Sequence, residues 1–468
     1  MHLFARIFAR FLTYALVAIG IFLLVSVAAA YAYADDDFDP DLQSKADEYQ
    51  VYLEEWHAAP AGALTGGVQY TDGTRQEISC LHHQGDSTIW TGMYLGSQAI
   101  RYEITGDPDA LAEMRRVTDY LLFAMDVTQT PGYVARFADV DEMPWNCGYT
   151  GDHGWKNAGT GDYEGYYWID HTSRDQYSGW WMGLSLAHDA LPLVDFARKR
   201  RIEQAFTDVI EMLRANNWNI TDQNGEYTGN GAAWIGFVKR ISWLLMAAHA
   251  TDNPDYWALL DEQYEANKNF FFIDTWSFLN KYSEFYGNNL RHLDWYSIFR
   301  LWPEDDARLD ELWDVWQRAN RPSVTAIYNP WFDAVHVAGC RKLDACDDKE
   351  MAQIVKDTKL TLDQYWDAPS YRRAVTCSEA KPDLFSVWAD NWLSSIPWLE
   401  GIFNIDPIAR KPRQLADRSW TDMYWQSGEV WALSCSSGED QAYTGPGFDY
   451  ILAYWINVYY GVLPGYSQ

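Results

Sequence analysis

The chain has 468 residues, 48% of them hydrophobic, and carries 66 acidic against 36 basic side chains, a formal net charge of −30. That charge repels nucleic acid and anionic membrane surfaces, and it disfavours a polyanionic substrate unless local arginines build a positive pocket. The hydrophobic content supports a substantial core, and the 25 tryptophans and 31 tyrosines either fill it or line a cleft where rings stack on sugar faces.

In chain order, the N-terminus reads as an export signal. Arg6 and Arg10 precede an apolar run from Phe11 to Ala30, and Ala32-Tyr33-Ala34 ahead of Asp35-Asp36-Asp37 forms a small-x-small cleavage pattern. Residues 1–34 are therefore expected to be a signal peptide, residues 35–468 a single domain, and the protein secreted or periplasmic. Left uncleaved, the same run suffices as an anchor, since roughly 20 apolar residues span a bilayer; only then is a membrane a partner. Six cysteines (Cys80, Cys147, Cys340, Cys346, Cys377 and Cys435) are an even number in an exported chain and predict disulfides, with Cys340–Cys346 the foremost pair.

Helical periodicity dominates the rest. A stretch from Thr88 to Tyr102 carries the small residues Gly92, Gly96, Ser97 and Ala99. Asp107-Pro108 then opens a helix with Leu111, Met114, Thr118, Leu121, Leu122 and Met125 at helical spacing. Further stripes follow: Tyr177, Trp180, Trp181, Leu184, His188 and Leu191; then Ile202, Phe206, Val209, Ile210 and Leu213. Next come Trp234, Val238, Ile241, Leu245 and Ala248; Trp257, Leu260 and Tyr264; Leu309, Leu312, Trp313 and Trp316; and finally Ile451, Tyr454, Trp455 and Val458. Small-residue helices alternating with amphipathic ones, joined by Asp-Pro or Asn-Pro turns and without strands, predict an all-α (α/α)6 toroid. Its inner helices are the ones that must approach closely. Two stretches lack the period, Val127–Arg174 and Thr421–Gly447, and are expected to be long irregular loops over one face, of the kind that carries function.

Two carboxylates stand immediately before helices. Asp86 lies in His82-His83-Gln84-Gly85-Asp86-Ser87-Thr88, and Asp175 in His171-Thr172-Ser173-Arg174-Asp175-Gln176-Tyr177. In a toroid, the starts of neighbouring inner helices open on one cavity, so both carboxyls would face one cleft. Glycoside hydrolysis needs such a pair, one to protonate the leaving oxygen and one to activate water or attack. The competing reading is that each is an N-cap. Around them, Trp90, His83, Gln84, Trp155, His171, Arg174, Gln176, Tyr177, Trp181 and His292 are candidate substrate contacts. Arg136 and Arg174 are candidate carboxylate binders or structural ion pairs. Asn288, Asn289, Asp294 and Tyr296, with His336, are candidates for the opposite wall. The sequence lacks a P-loop, a dinucleotide fingerprint, HExxH and GxSxG, and Asp222-x-Asn224-x-Glu226 reads as a polar turn, so no metal or cofactor is expected.

At Gly85-Asp86-Ser87-Thr88-Ile89-Trp90-Thr91-Gly92, Thr172-Ser173-Arg174-Asp175-Gln176-Tyr177-Ser178-Gly179 and Gly447-Phe448-Asp449-Tyr450, the chain resembles exported bacterial proteins of the six-hairpin glycosidase-like class. The resemblance implies an (α/α)6 barrel. Through looser similarity to unsaturated glucuronyl hydrolases, it also implies catalytic roles for Asp86 and Asp175. The long Val127–Arg174 insertion and the acidic composition depart from that group. Expected partners are poly- or oligosaccharides. A polysaccharide lyase of the same architecture, with Tyr177, His171 or His292 as base, and a non-catalytic glycan-binding envelope protein are the alternatives, since fold alone does not set function.

Overall fold

The computed structural model of the protein describes residues 40–82, 84–141, 155–228, 236–271, 286–325, 327–377, 379–396, 406–420, 428–435 and 438–465. The expected signal at residues 1–34 lies outside them, as do His83 and Cys147.

The described chain starts with α1 (Pro40–Trp56) and then runs through helical pairs. These are α2 (Ser87–Thr105) with α3 (Pro108–Asp126), α4 (Arg174–Ala190) with α5 (Phe196–Ala215), and α6 (Phe237–Thr251) with α7 (Pro254–Asn267). Next, α8 (Tyr286–Leu301) is followed by α9 (Arg308–Val315), a π-helical turn at Trp316–Asn320 and the single turn α10 (Arg321–Val324). The series continues through α11 (Pro330–Lys342), α12 (Asp348–Gln364), α13 (Leu384–Ser394) and α14 (Phe448–Tyr459). Among the described residues, α2, α4, α6, α8, α11 and α14 each pack on the next, and α14 returns to α2, closing an inner ring. The outer layer is α3, α5, α7, α9 with α10, α12, and the N-terminal α1, which packs on the C-terminal α14. This is the expected (α/α)6 toroid, its last pair completed by the two ends of the described chain.

Composition explains the layering. Cβ atoms built at Gly92 and Gly179 would lie 2.1 Å from the Gly179 carbonyl oxygen and 2.2 Å from the Ile89 carbonyl oxygen, and one at Gly183 would lie 2.2 Å from that of Gly92. The α2 and α4 backbones thus touch directly, and only glycine permits it. Between the layers the aromatic residues fill space: Trp180, Trp181, Trp243, Trp295, Trp316, Trp331 and Trp455 are all buried. The Asp-Pro and Asn-Pro starts behave as read, with Asp107, Asn253 and Asn329 accepting from the backbone N–H two residues on.

Two small antiparallel sheets correct the strand-free expectation. β1 (Gly67–Tyr70) and β2 (Ile78–His82) join β6 (Ser370–Arg372) and β7 (Asp440–Gly445) in the order β2-β1-β7-β6. β3 (Phe137–Val140), β4 (Lys156–Ala158) and β5 (Tyr166–Ile169) form a second sheet in the order β3-β5-β4. The second sheet builds the supposedly irregular Val127–Arg174, and β7 lies in Thr421–Gly447. These strands are three to six residues long, too short for period-two alternation to stand out against composition. The Cys340–Cys346 disulfide forms as expected, Cys377 pairs with Cys435, and Cys80 is also disulfide-bonded.

Candidate active site

Because the inner helices run parallel, their N-termini share one rim. The direct contact of α2 with α4 brings the residues before those two helices side by side. Asp86 takes the cap position of α2 but makes no capping hydrogen bond. The first-turn donors of α2 are satisfied from elsewhere: Thr88 N donates to the Arg136 carbonyl at 3.1 Å, and Ile89 N to Gln176 Oε1 at 3.2 Å. With the orphan amides already met, the Asp86 carboxylate turns to side chains instead. Its Oδ1 accepts from Gln176 Nε2 at 3.0 Å and from Arg136 Nη1 at 3.4 Å.

Asp175 lies in the first turn of α4, whose cap residue Ser173 makes no side-chain cap. Its nearest cationic partner is Arg174 Nε, 4.0 Å away. The two carboxylic side chains keep 29% and 26% of their surface. Burial raises the pKa of Asp86 above its ordinary value, Arg136 and Gln176 pull it down, and the charge of Asp175 adds to the rise. The charge on Asp175 thus reaches Asp86.

Arg136 is a clamp that the sequence reading undervalued. It precedes β3 and is mostly buried; its Nη1 donates to the Gly85 carbonyl at 2.8 Å and its Nε to the His171 carbonyl at 2.6 Å. One guanidinium thus ties together the approaches to both candidate acids. Beneath them, Lys239 Nζ on α6 donates to Ser178 Oγ at 2.6 Å and to Asp294 Oδ2 at 2.8 Å, a buried bridge across α4, α6 and α8. A buried lysine in the first turn of a mostly apolar helix is the signal that could have marked it.

The structure divides the predicted substrate contacts. Trp155, His171 and Arg174 are partly exposed, with the Trp155 and His171 ring centroids 4.8 Å apart. His171 adopts a left-handed backbone, φ 54°, and its Nδ1 lies 3.3 Å from the Thr228 carbonyl. The other described contacts are corrected to framework roles. The Gln176 amide is consumed in joining α2 to Asp86. Gln84 is fully buried, and Trp90 packs in the core beside Phe448. Tyr177 is buried with its hydroxyl donating to the Gly132 carbonyl and accepting from Val134 N. Trp181 packs against Phe206 with centroids 4.1 Å apart and the rings tilted by 32°. His292 lies between Trp316 and Phe332, and burial lowers its pKa to about 3. Trp90, Tyr177, Trp181 and His292 are buried rings on inner helices, whereas Gln84 sits in the 3-10 turn before α2 and Gln176 reaches Asp86 itself. His83 is outside the described residues.

The opposite-wall residues are also interior. Asn288, Asn289, Asp294, Tyr296 and His336 are buried, and His336 Nε2 meets Glu350 at 3.3 Å. Asp449, from the last resembling block, is buried and accepts from the Tyr365 hydroxyl at 2.7 Å, seating α14. The Asp222 turn is closed by Asp222 Oδ1 accepting from Asn224 N and Glu226 N.

No family model matches the chain, and neither does any curated protein. Among solved structures, a chain described as "Bacteroides ovatus GH9" is similar at 12% identity and TM-score 0.41, covering 90% of this chain and 83% of that one. The reading of the site rests on the residues themselves.

Proposed function

We propose that this protein is a carbohydrate-active enzyme, a glycoside hydrolase in which Asp86 is the general acid and Asp175 the base or nucleophile. The observation that carries this is that Asp86 holds a helix cap position yet caps nothing, because the backbone of Arg136 and the amide of Gln176 meet the helix amides in its place. Its raised pKa keeps the acid protonated to higher pH, as proton donation to a leaving oxygen requires, while a neighbouring carboxylate serves the other half of the reaction. Trp155, His171 and Arg174 are the side chains placed to touch a sugar. The lyase alternative loses two of its three candidate bases, since Tyr177 and His292 are buried.

The same reading takes residues 35–468 as one domain, supported by α1 closing the ring against α14. It also takes the chain as secreted or periplasmic, supported by the disulfides. Asp175→Asn, assayed on a panel of glycans that the unaltered protein cleaves, is expected to lose about 10²- to 10⁴-fold in rate with its melting temperature preserved. Full activity in that variant overturns the assignment.

A further inference from the structure

A cleft of about 750 Å³ lies between the approach to α11 and the segment carrying α13, lined by Lys381, Arg410, Lys411, Arg413, Tyr328 and Asp417, among others. Tyr328 directly precedes Asn329, the cap of α11, so the cleft opens at the same rim as Asp86 and Asp175. In a chain with nearly two acids for each base, four cations against one carboxylate is a local reversal. Lys381, Arg410 and Lys411 are exposed, and among the described residues no ion pair forms at any of them.

The frame beneath them is built. Arg410 N donates to the Lys381 carbonyl, Asp383 N to that of Ile408, Ala409 N to that of Trp431 and Arg413 N to that of Val430. The Cys377–Cys435 disulfide closes the same segment. Arg413 is buried, its guanidinium donating to the Ala432 and Leu433 carbonyls at 2.8 Å, which fixes a positive charge under the cleft. Cations held near one another without acid partners repel, and a bound anion relieves that repulsion.

We propose that this cleft is a binding site for the anionic groups, carboxylate or sulfate, of a glycan, separate from the Asp86–Asp175 pair. The local arginines and lysines thus supply the positive pocket that a chain of net charge −30 needs before it can hold an anionic polymer. Two observations favour a glycan over a bare polyanion or a membrane. On α13, which begins three residues after Lys381, Trp388 and Trp392 are exposed with rings parallel to within 8° and centroids 6.0 Å apart, and such faces suit sugar rings. The remaining surface, strongly acidic, opposes an anionic bilayer. The choice of a glycan rests on the proposed hydrolase reading; the anion site itself does not.

The test is affinity electrophoresis of the exported chain in gels containing polygalacturonate, dextran sulfate, neutral dextran or polyphosphate, with co-sedimentation on anionic phospholipid vesicles. Retention by polygalacturonate or dextran sulfate but not by neutral dextran is expected, weakening with added salt. The variant Lys381→Gln/Arg410→Gln/Lys411→Gln should lose about tenfold in affinity, and because all three side chains are exposed and form no ion pair among the described residues its melting temperature should not move. Asp86→Asn should bind as tightly as the unaltered chain. Equal retention of the triple variant, or stronger capture by polyphosphate or vesicles than by either acidic glycan, overturns the proposal. Glycan cleavage with no acidic-glycan binding defeats this inference alone, whereas binding with no cleavage of any glycan defeats the hydrolase reading alone.

Discussion

The two rims of the toroid bear acids of equal exposure and opposite circumstance. At the N-terminal rim Asp175 keeps 26% of its side-chain surface, and at the C-terminal rim Asp189 keeps the same 26%. Asp189 is held by Arg300, by His249 Nε2 at 3.0 Å and by His188 Nδ1 at 3.4 Å. Arg300 also donates to Ser185 Oγ, and Lys342 Nζ donates to the Arg300 carbonyl at 2.9 Å. These groups come from the C-terminal ends of α4, α6, α8 and α11, where the helix dipole favours cations. Burial by itself would raise the pKa of Asp189, but hydrogen bonds from the two histidines and the charge of Arg300 outweigh it and hold the carboxyl well below its ordinary range. At the other rim Asp86 is pushed the opposite way. Partnership, not exposure, separates a structural acid from a candidate catalytic one.

That contrast breaks most sharply if Asp86→Asn and Asp189→Asn are compared in one assay. The first is expected to cost activity by about 10²- to 10⁴-fold with little change in melting, and the second to lower the melting temperature while sparing the chemistry. A reversed outcome would mean that the rims have been assigned the wrong way round.

Next in size is the contact that places the carboxylates. Gly179→Ala forces a methyl onto the Ile89 carbonyl, and the overpacking should cost about 3 kcal/mol or more, read by chemical denaturation. Activity should fall further than stability accounts for, because α2 and α4 must part. An unchanged denaturation midpoint would show that the backbones are not in contact.

Arg300→Met is expected to destabilise by about 1–3 kcal/mol, discounted from a fully buried pair because Asp189 retains some solvent. A depressed carboxylate stabilises above its unfolded pKa of about 3.9 and loses that contribution as pH falls through the lower folded value. The difference between variant and unaltered chain should thus be full at pH 7 and shrink below about pH 4. A difference constant with pH would assign the loss to packing instead.

The smallest effect sharpens the picture at β3, where Asp139 is buried. Its Oδ1 accepts from Val140 N and Ala61 N, its Oδ2 has no partner among the described residues, and burial raises its pKa to about 6. The folded state therefore holds a proton that the unfolded state has released, so this group costs stability as pH rises from about 4 to 6. Asp139→Asn keeps an acceptor oxygen at Oδ1 and removes that slope. It should gain about 1–2 kcal/mol at pH 7 and nothing at pH 4, measured by denaturation at both values.

Much of this could be read from the residues in order. Helix starts at Asp107-Pro108, Asn253-Pro254 and the apolar stripes are local facts, and glycine at 92 announces a close helix approach before any partner is known. The identity of that partner is not local. Gly92 meets Gly179 across nearly ninety positions, and Arg136 reaches Gly85 and His171 from just ahead of a strand too short to show its period. Tyr177 and Trp181 follow Asp175 closely in sequence, yet helical rotation buries them, which spacing to a single aspartate does not reveal. The sequence by itself determined a helical toroid with two acids at helix starts and a charge that disfavours an anionic substrate unless a local positive pocket is built. Only the tertiary structure decided which acid is left without a capping task and where the cations gather, because both depend on segments far apart in the chain supplying, or failing to supply, hydrogen-bond partners.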